Sequence, residues 1–187
     1  MRTTSLRRSA VAASSLLLVG GLALGACGGG DGGSSKEDAT KLLNVALQAE
    51  VQGDYATAQT KFRELLEIDA TNKFANYNLG YIAQTVDKDN TAAAAYYEAA
   101  IEADPQYGPA LYNLAIIETA RKNTTKAIDL YKRAITADPT DANANLNLGF
   151  LLFETGDKAG ADAAFRKAIA LNPALKQRIP ADQQPTG

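Results

Sequence analysis

The stretch GPALYNLAIIETARKNTTKAIDLYKRAITADPTD, Gly108–Asp141, decides the fold. In its second half Ala127, Tyr131, Ala134 and Ile135 fall on one face at helical spacing. Pro139 then stops the helix, because a proline disfavours α conformation in the residue before it. Working outward, the same landmarks return on both sides. Asp104-Pro105, Asp138-Pro139 and Asn172-Pro173 lie 34 residues apart. Asn44, Asn78, Asn113 and Asn147 recur at steps of 34, 35 and 34, and Ala58, Ala93, Ala127 and Ala161 at 35, 34 and 34. The aromatic set Phe62, Tyr97, Tyr131 and Phe165 follows these last steps.

A 34-residue period carrying these residues resembles the tetratricopeptide repeat. The matching spans are Ala39–Asn72, Lys73–Tyr107, Gly108–Asp141 and Ala142–Leu175. The expected fold is all-α: a solenoid of four helix-turn-helix repeats which, by this resemblance, winds into a right-handed superhelix. Gly53-Asp54 and Gly156-Asp157 mark the turn between helices in the first and last units. One extra residue in Val86–Asn90 lengthens that turn in the second unit. Ala70 stands where the other units have proline, so the first unit is expected to have a looser exit. One unit cannot bury its apolar faces alone; stacking does so. Leu175 and Ile179 are placed to cover the last unit as a short cap. Residues 176–187 thus read as a capping segment followed, from Ala181, by a disordered tail.

The resemblance implies a concave groove, lined by the first helix of each unit, that binds a peptide or helix. At about 100° per residue, Asn76, Leu79, Gly80 and Ala83 form a packed stripe, with Ala115 and Gly149 the counterparts of Gly80. Phe74, Tyr77, Tyr81, Gln84 and Thr85 form a second stripe rotated about 140° away. The counterparts of Tyr77 and Tyr81 are Leu43 and Leu47, Tyr112 and Ile116, and Leu146 and Phe150. Beside them runs the row Asn44, Asn78, Asn113 and Asn147. The candidate site is therefore an apolar and aromatic surface with amides for a partner's backbone. The asparagines are equally accounted for as part of the repeat consensus. Family members that clamp a C-terminal carboxylate use groove lysines and arginines. Here those sites hold Thr40, Phe74, Pro109 and Asn143, with Asn113 where an arginine is expected, so a carboxylate finds no charged partner there.

Composition excludes other functions. The chain has 187 residues, one cysteine and no histidine, so serine triads, Cys–His dyads and histidine metal sites are absent. Neither catalytic residues nor cofactor or metal ligands are expected; Asp87-Lys88-Asp89-Asn90 is too short for a calcium loop. A net charge of −2 makes no case for nucleic acid.

The lone cysteine has its own context. Arg2, Arg7 and Arg8 precede an uncharged run, Ala10–Ala26, that is short for a membrane span. A basic start followed by an apolar middle is the pattern of an export signal. Leu24-Gly25-Ala26-Cys27 resembles the bacterial lipobox. That likeness implies a diacylglyceryl group on the Cys27 sulfur and cleavage before it. An uncleaved helix is the alternative reading. Arg7-Arg8 also allows a twin-arginine route, ranked behind general secretion because Ala10 and Val11 are only mildly apolar. Residues 1–26 are then a signal peptide and 27–38 a lipidated cysteine with a Gly/Ser-rich flexible linker. Losing three arginines and no acid takes the charge from −2 to −5, so the lipid rather than a basic patch would hold the domain at the membrane.

The sequence thus points to a non-enzymatic lipoprotein of the cell envelope, on the exported side, that docks a protein partner. Self-association as a scaffold subunit, or activation of a partner enzyme, are the alternatives.

Overall fold

A computed structural model describes residues 31–185; the expected signal peptide and Cys27 lie outside them, as do residues 186–187. Eight helices follow one another: α1 (Asp31–Val51), α2 (Tyr55–Ile68), α3 (Lys73–Thr85), α4 (Asn90–Ala103), α5 (Gly108–Ala120), α6 (Thr124–Ala137), α7 (Ala142–Glu154) and α8 (Lys158–Leu171). They pair as hairpins, and the main contacts join each helix to its chain neighbours. This is an all-α solenoid of four helix-turn-helix units.

Short polar residues start the helices by accepting free N–H groups. Asp54 Oδ1 accepts from Thr57 N, Asn72 Oδ1 from Ala75 N, Asp89 Oδ1 from Thr91 N and Ala92 N, and Asp157 Oδ1 from Gly160 N. Each hairpin turn has one left-handed residue. Gly53 (φ 77°) and Gly156 (φ 87°) take it without strain, whereas units two and three place Lys88 (φ 59°) and Lys122 (φ 65°) there. The second turn is the longer one, spanning Val86 to Asp89 between α3 and α4.

Two expectations about the linker and the first unit change. The first helix begins at Asp31, inside the segment 27–38 read as a flexible linker. From Lys36 onward the turn is held by Thr40 Oγ1 donating to Lys36 O at 3.0 Å and by a 2.8 Å Glu37–Lys41 pair one turn apart. The exit of unit one is tied rather than loose. Asn72 N donates to Asp69 O, Thr71 Oγ1 to Asp69 Oδ1, and the buried Asn76 Nδ2 to Ala70 O.

Small residues let paired helices close up. A Cβ on Gly80 would stand 2.8 Å from the Tyr97 ring, and one on Gly149 2.6 Å from the Phe165 ring. Ala58, Phe62, Leu65, Leu79 and Ile82 build the core of the first hairpin and α3. A second buried cluster runs from Ala83 through Tyr97, Leu114, Tyr131 and Phe165 to Leu175 and Ile179. Those last two residues are 6% and 2% exposed, on the 3-10 helix Pro173–Arg178 and just after it. The residues expected to be disordered from Ala181 form a further 3-10 turn, Ala181–Gln183, because Gln183 N donates to Pro180 O and Gln184 Nε2 to Ile179 O.

Among the described residues one charge is buried. Glu118, 1% exposed on α5, accepts from Asn123 Nδ2 at 2.6 Å, Arg121 Nη1 at 3.1 Å and Lys126 Nζ at 3.3 Å. Burial pushes its carboxyl up, but these bonds and the Lys126 charge outweigh it and hold the group below the ordinary glutamate range.

Candidate functional site

The first helices of the units, α1, α3, α5 and α7, carry the expected docking face. Leu47, Phe74 and Tyr81 project most, at 38%, 44% and 39% exposed. Asn44 is exposed too, while Leu43, Tyr77, Asn78, Tyr112, Asn113, Ile116, Asn147 and Phe150 are half-buried. Leu146 must be corrected: at 0% exposed it belongs to the core, not the face. The C-terminal segment reaches the start of the same helix. Arg178 Nη1 donates to Asn143 Oδ1 at 3.2 Å, laying that segment along the start of α7, and Leu175 and Ile179 join the buried cluster that holds Leu146.

The asparagine row splits into two uses. Asn113 Nδ2 donates to the hydroxyls of Tyr97 (3.3 Å) and Tyr77 (3.5 Å), and Asn147 Nδ2 to those of Tyr112 (3.3 Å) and Tyr131 (3.4 Å). These amides therefore bind units together. Asn78 Nδ2 donates back to Phe74 O in its own helix at 2.9 Å. Burial raises the hydroxyl pKa of Tyr77, Tyr97, Tyr112 and Tyr131, so all four stay neutral and keep their protons.

Ring contacts fix the aromatic side chains. Tyr77 meets Tyr107 edge-on at 5.5 Å and Tyr97 at 5.8 Å; Tyr112 meets Tyr131 at 5.9 Å, and Phe150 meets Phe165 at 5.2 Å. Such rings present apolar area at little entropic cost. Two pockets open along the face and share Tyr112. One, of 320 Å³, lies between Tyr77, Pro109, Tyr112, Asn113, Asp138 and Asp141. The other, of 380 Å³, lies between Tyr112, Ile116, Asn147, Phe150, Glu154 and Arg178.

Arg178 was missed by reasoning from the sequence and alters one conclusion. Asn143 holds no charge of its own, yet it holds this guanidinium, so the face has a cation after all. The signal was present: Arg178 stands 35 residues beyond Asn143, about one repeat. Among the described residues no helix is long and apolar enough to cross a membrane.

Tetratricopeptide repeat family models match residues 43–108 and 86–142, and a second such model matches 118–178. A curated relative, the photosystem I assembly protein Ycf3 of Acaryochloris marina (strain MBIC 11017), is 31% identical over 84 residues, 43% of this chain and 50% of that protein. The chain thus spans about half the length of that relative. Among solved structures, MamA superposes with a TM-score of 0.66 at 22% identity, over 76% of this chain and 77% of its own. YrrB, described as a TPR protein with an unusual peptide-binding site, gives 0.68 at 22% identity, over 78% and 74%. At such identities these are likenesses of fold.

Proposed function

The chain belongs to the tetratricopeptide repeat family, and from that premise we propose that it is a non-catalytic docking module that takes an apolar segment of a partner protein along its first helices. The observation that carries this reading is that the first helix of every unit places accessible apolar or aromatic side chains on the same face. They run from Leu43 and Leu47 through Phe74, Tyr77 and Tyr81 to Tyr112, Ile116 and Phe150. An isolated exposed apolar residue needs no explanation, whereas a contiguous patch marks a contact surface. Rigid tyrosines are the side chains that anchor such contacts best.

The lipobox-like Leu24–Cys27 extends the proposal to place. A lipid on Cys27 would hold the module on the exported face of a membrane in the cell envelope, and tethering would raise the local concentration of the partner. Its role there would be that of an adaptor; the assembly role in the name of the Acaryochloris relative is compatible with it.

The test is site-specific photocrosslinking in the producing cell, with a photoreactive residue at Tyr81 in one strain and at Lys167, exposed on α8, in another. The expected result is one partner adduct from Tyr81 that Lys167 does not give. Adducts only from Lys167, or only between copies of this chain, would overturn the docking reading.

A further inference from the structure

We infer that the 320 Å³ pocket between Tyr77, Tyr112, Asp138 and Asp141 receives the cationic end of a lysine or arginine side chain of the docked segment. This rests on the docking reading above and specifies its chemistry.

The repeat itself contains the comparison. In the second unit, Lys73 opens α3. Its Nζ donates to Asp104 Oδ2 at 2.6 Å and lies 5.2 Å from the ring centroids of both Phe74 and Tyr107. A lysine ammonium thus sits between a carboxylate and aromatic faces, where charge and ring quadrupole both favour it. One unit later the carboxylate persists without the lysine, while Pro109 and Asp141 stand in register with the two rings, Phe74 and Tyr107. Asp138 is the counterpart of Asp104, and Tyr112 that of Tyr77. Asp141 replaces Tyr107, adding a second carboxylate. The counterpart of Lys73 is Gly108, which has no side chain to fill the space, and the pocket opens at that point.

The lining agrees. Among the described residues no lysine or arginine borders this pocket. Asp138 Oδ1 accepts from Thr140 N and Oγ1, and Asp141 Oδ1 from Asn143 N and Ala144 N. In both carboxylates Oδ2 accepts no hydrogen bond among the described residues. The Thr140 bonds keep Asp138 below the ordinary carboxylate range, so it is charged at neutral pH. A negative pocket floored by tyrosines, on an apolar face, matches a basic side chain flanked by apolar ones.

The test uses a phage-displayed library of random peptides panned against the full-length chain. The expected result is a set of binders with apolar residues and one lysine or arginine at a fixed place. Replacing that residue by norleucine in a synthetic binder should weaken binding roughly tenfold, the effect of losing one charge-assisted contact. The variant Gly108→Lys supplies the missing side chain from within. Its Cβ would meet Ala137 Cβ at 3.5 Å and Ala134 O at 4.0 Å, both ordinary contacts. It should bind the norleucine peptide as the wild type does and lose the preference for the basic one. Asp138→Asn, whose side chain still offers Oδ1 to Thr140, should reduce that preference without occupying the pocket, and melting followed by circular dichroism checks both variants. Binders with no basic position, or a basic preference unchanged in both variants, overturn the inference and leave apolar docking standing. Failure to recover any binder overturns the docking reading and this inference together.

Discussion

Asn113 on α5 donates its amide to the hydroxyl of Tyr97 on α4 at 3.3 Å, and Asn147 on α7 repeats the relationship with Tyr131 on α6 at 3.4 Å. Each bond joins the second helix of one unit to the first helix of the next. In the first of them the Tyr97 hydroxyl in turn donates a hydrogen bond to Gln84 Oε1 at 2.9 Å. Removing either end should therefore loosen the stack. Asn113→Ala and Tyr97→Phe should each cost about 1 kcal/mol in urea unfolding. The double variant should cost less than the sum by about 0.5 kcal/mol or more, since neighbours in one network couple. Strict additivity would mean that the bond contributes nothing.

The hairpin turns predict a gain. Lys122 holds φ 65°, where units one and four have glycine. Left-handed backbone disfavours a residue with a Cβ. Lys122→Gly should stabilise the protein by about 0.5–1 kcal/mol, less what the added freedom of the unfolded glycine takes back. Lys88 would gain less, because its Nζ donates to Thr85 O at 2.6 Å in the strained conformation. Thermal unfolding of the two variants side by side measures the difference; an equal response would sink the argument.

At the C-terminal end, Leu175 and Ile179 cover the last hairpin as the next unit would. Ile179→Ala should cost about 2–4 kcal/mol, the range for truncating a buried isoleucine. Chemical denaturation gives the number. A loss below about 0.5 kcal/mol, the size of an ordinary surface change, would show that the segment does not dock.

Glu118 makes stability depend on pH. Its folded-state pKa is lowered, so its contribution is present above the ordinary glutamate range and is lost as the pH falls through the lowered value. Glu118→Gln should cost about 1–3 kcal/mol at neutral pH by leaving buried donors poorly matched. The gap between the two proteins should then narrow in acid. Denaturation midpoints across pH 3–7 would show it, and a gap that stays constant refutes the linkage.

The proposed lipidation at Cys27 predicts a direct chemical result. Cys27→Ser should abolish incorporation of a labelled fatty acid and move the protein from the membrane fraction to the soluble one. A variant that stays with the membrane would mean that something other than the lipid holds it there.

Much of this protein is legible from residue order. The 34-residue period places the helix pairs, and helical spacing places the buried stripe Asn76, Leu79, Gly80 and Ala83, because both are local patterns that survive without knowing what lies opposite. The same spacing selects the face that carries Tyr77 and Tyr81. What it does not reveal is what covers each position. Leu146 matches Tyr77 in register yet is buried in the core cluster that also holds Leu175 and Ile179. Asn113 and Asn147 look like free amides in the sequence and are engaged by tyrosines 16 residues before them. Glu118 carries no mark in the sequence of the enclosure that Arg121, Asn123 and Lys126 give it. Gly108 has no side chain, and only comparison with Lys73 and its Asp104 partner in the folded repeat shows that Asp138 lacks an equivalent cation. Periodicity assigns a residue to a face; whether that face meets solvent, a partner side chain or the tail depends on contacts between turns and repeats, and those exist only once the units have stacked.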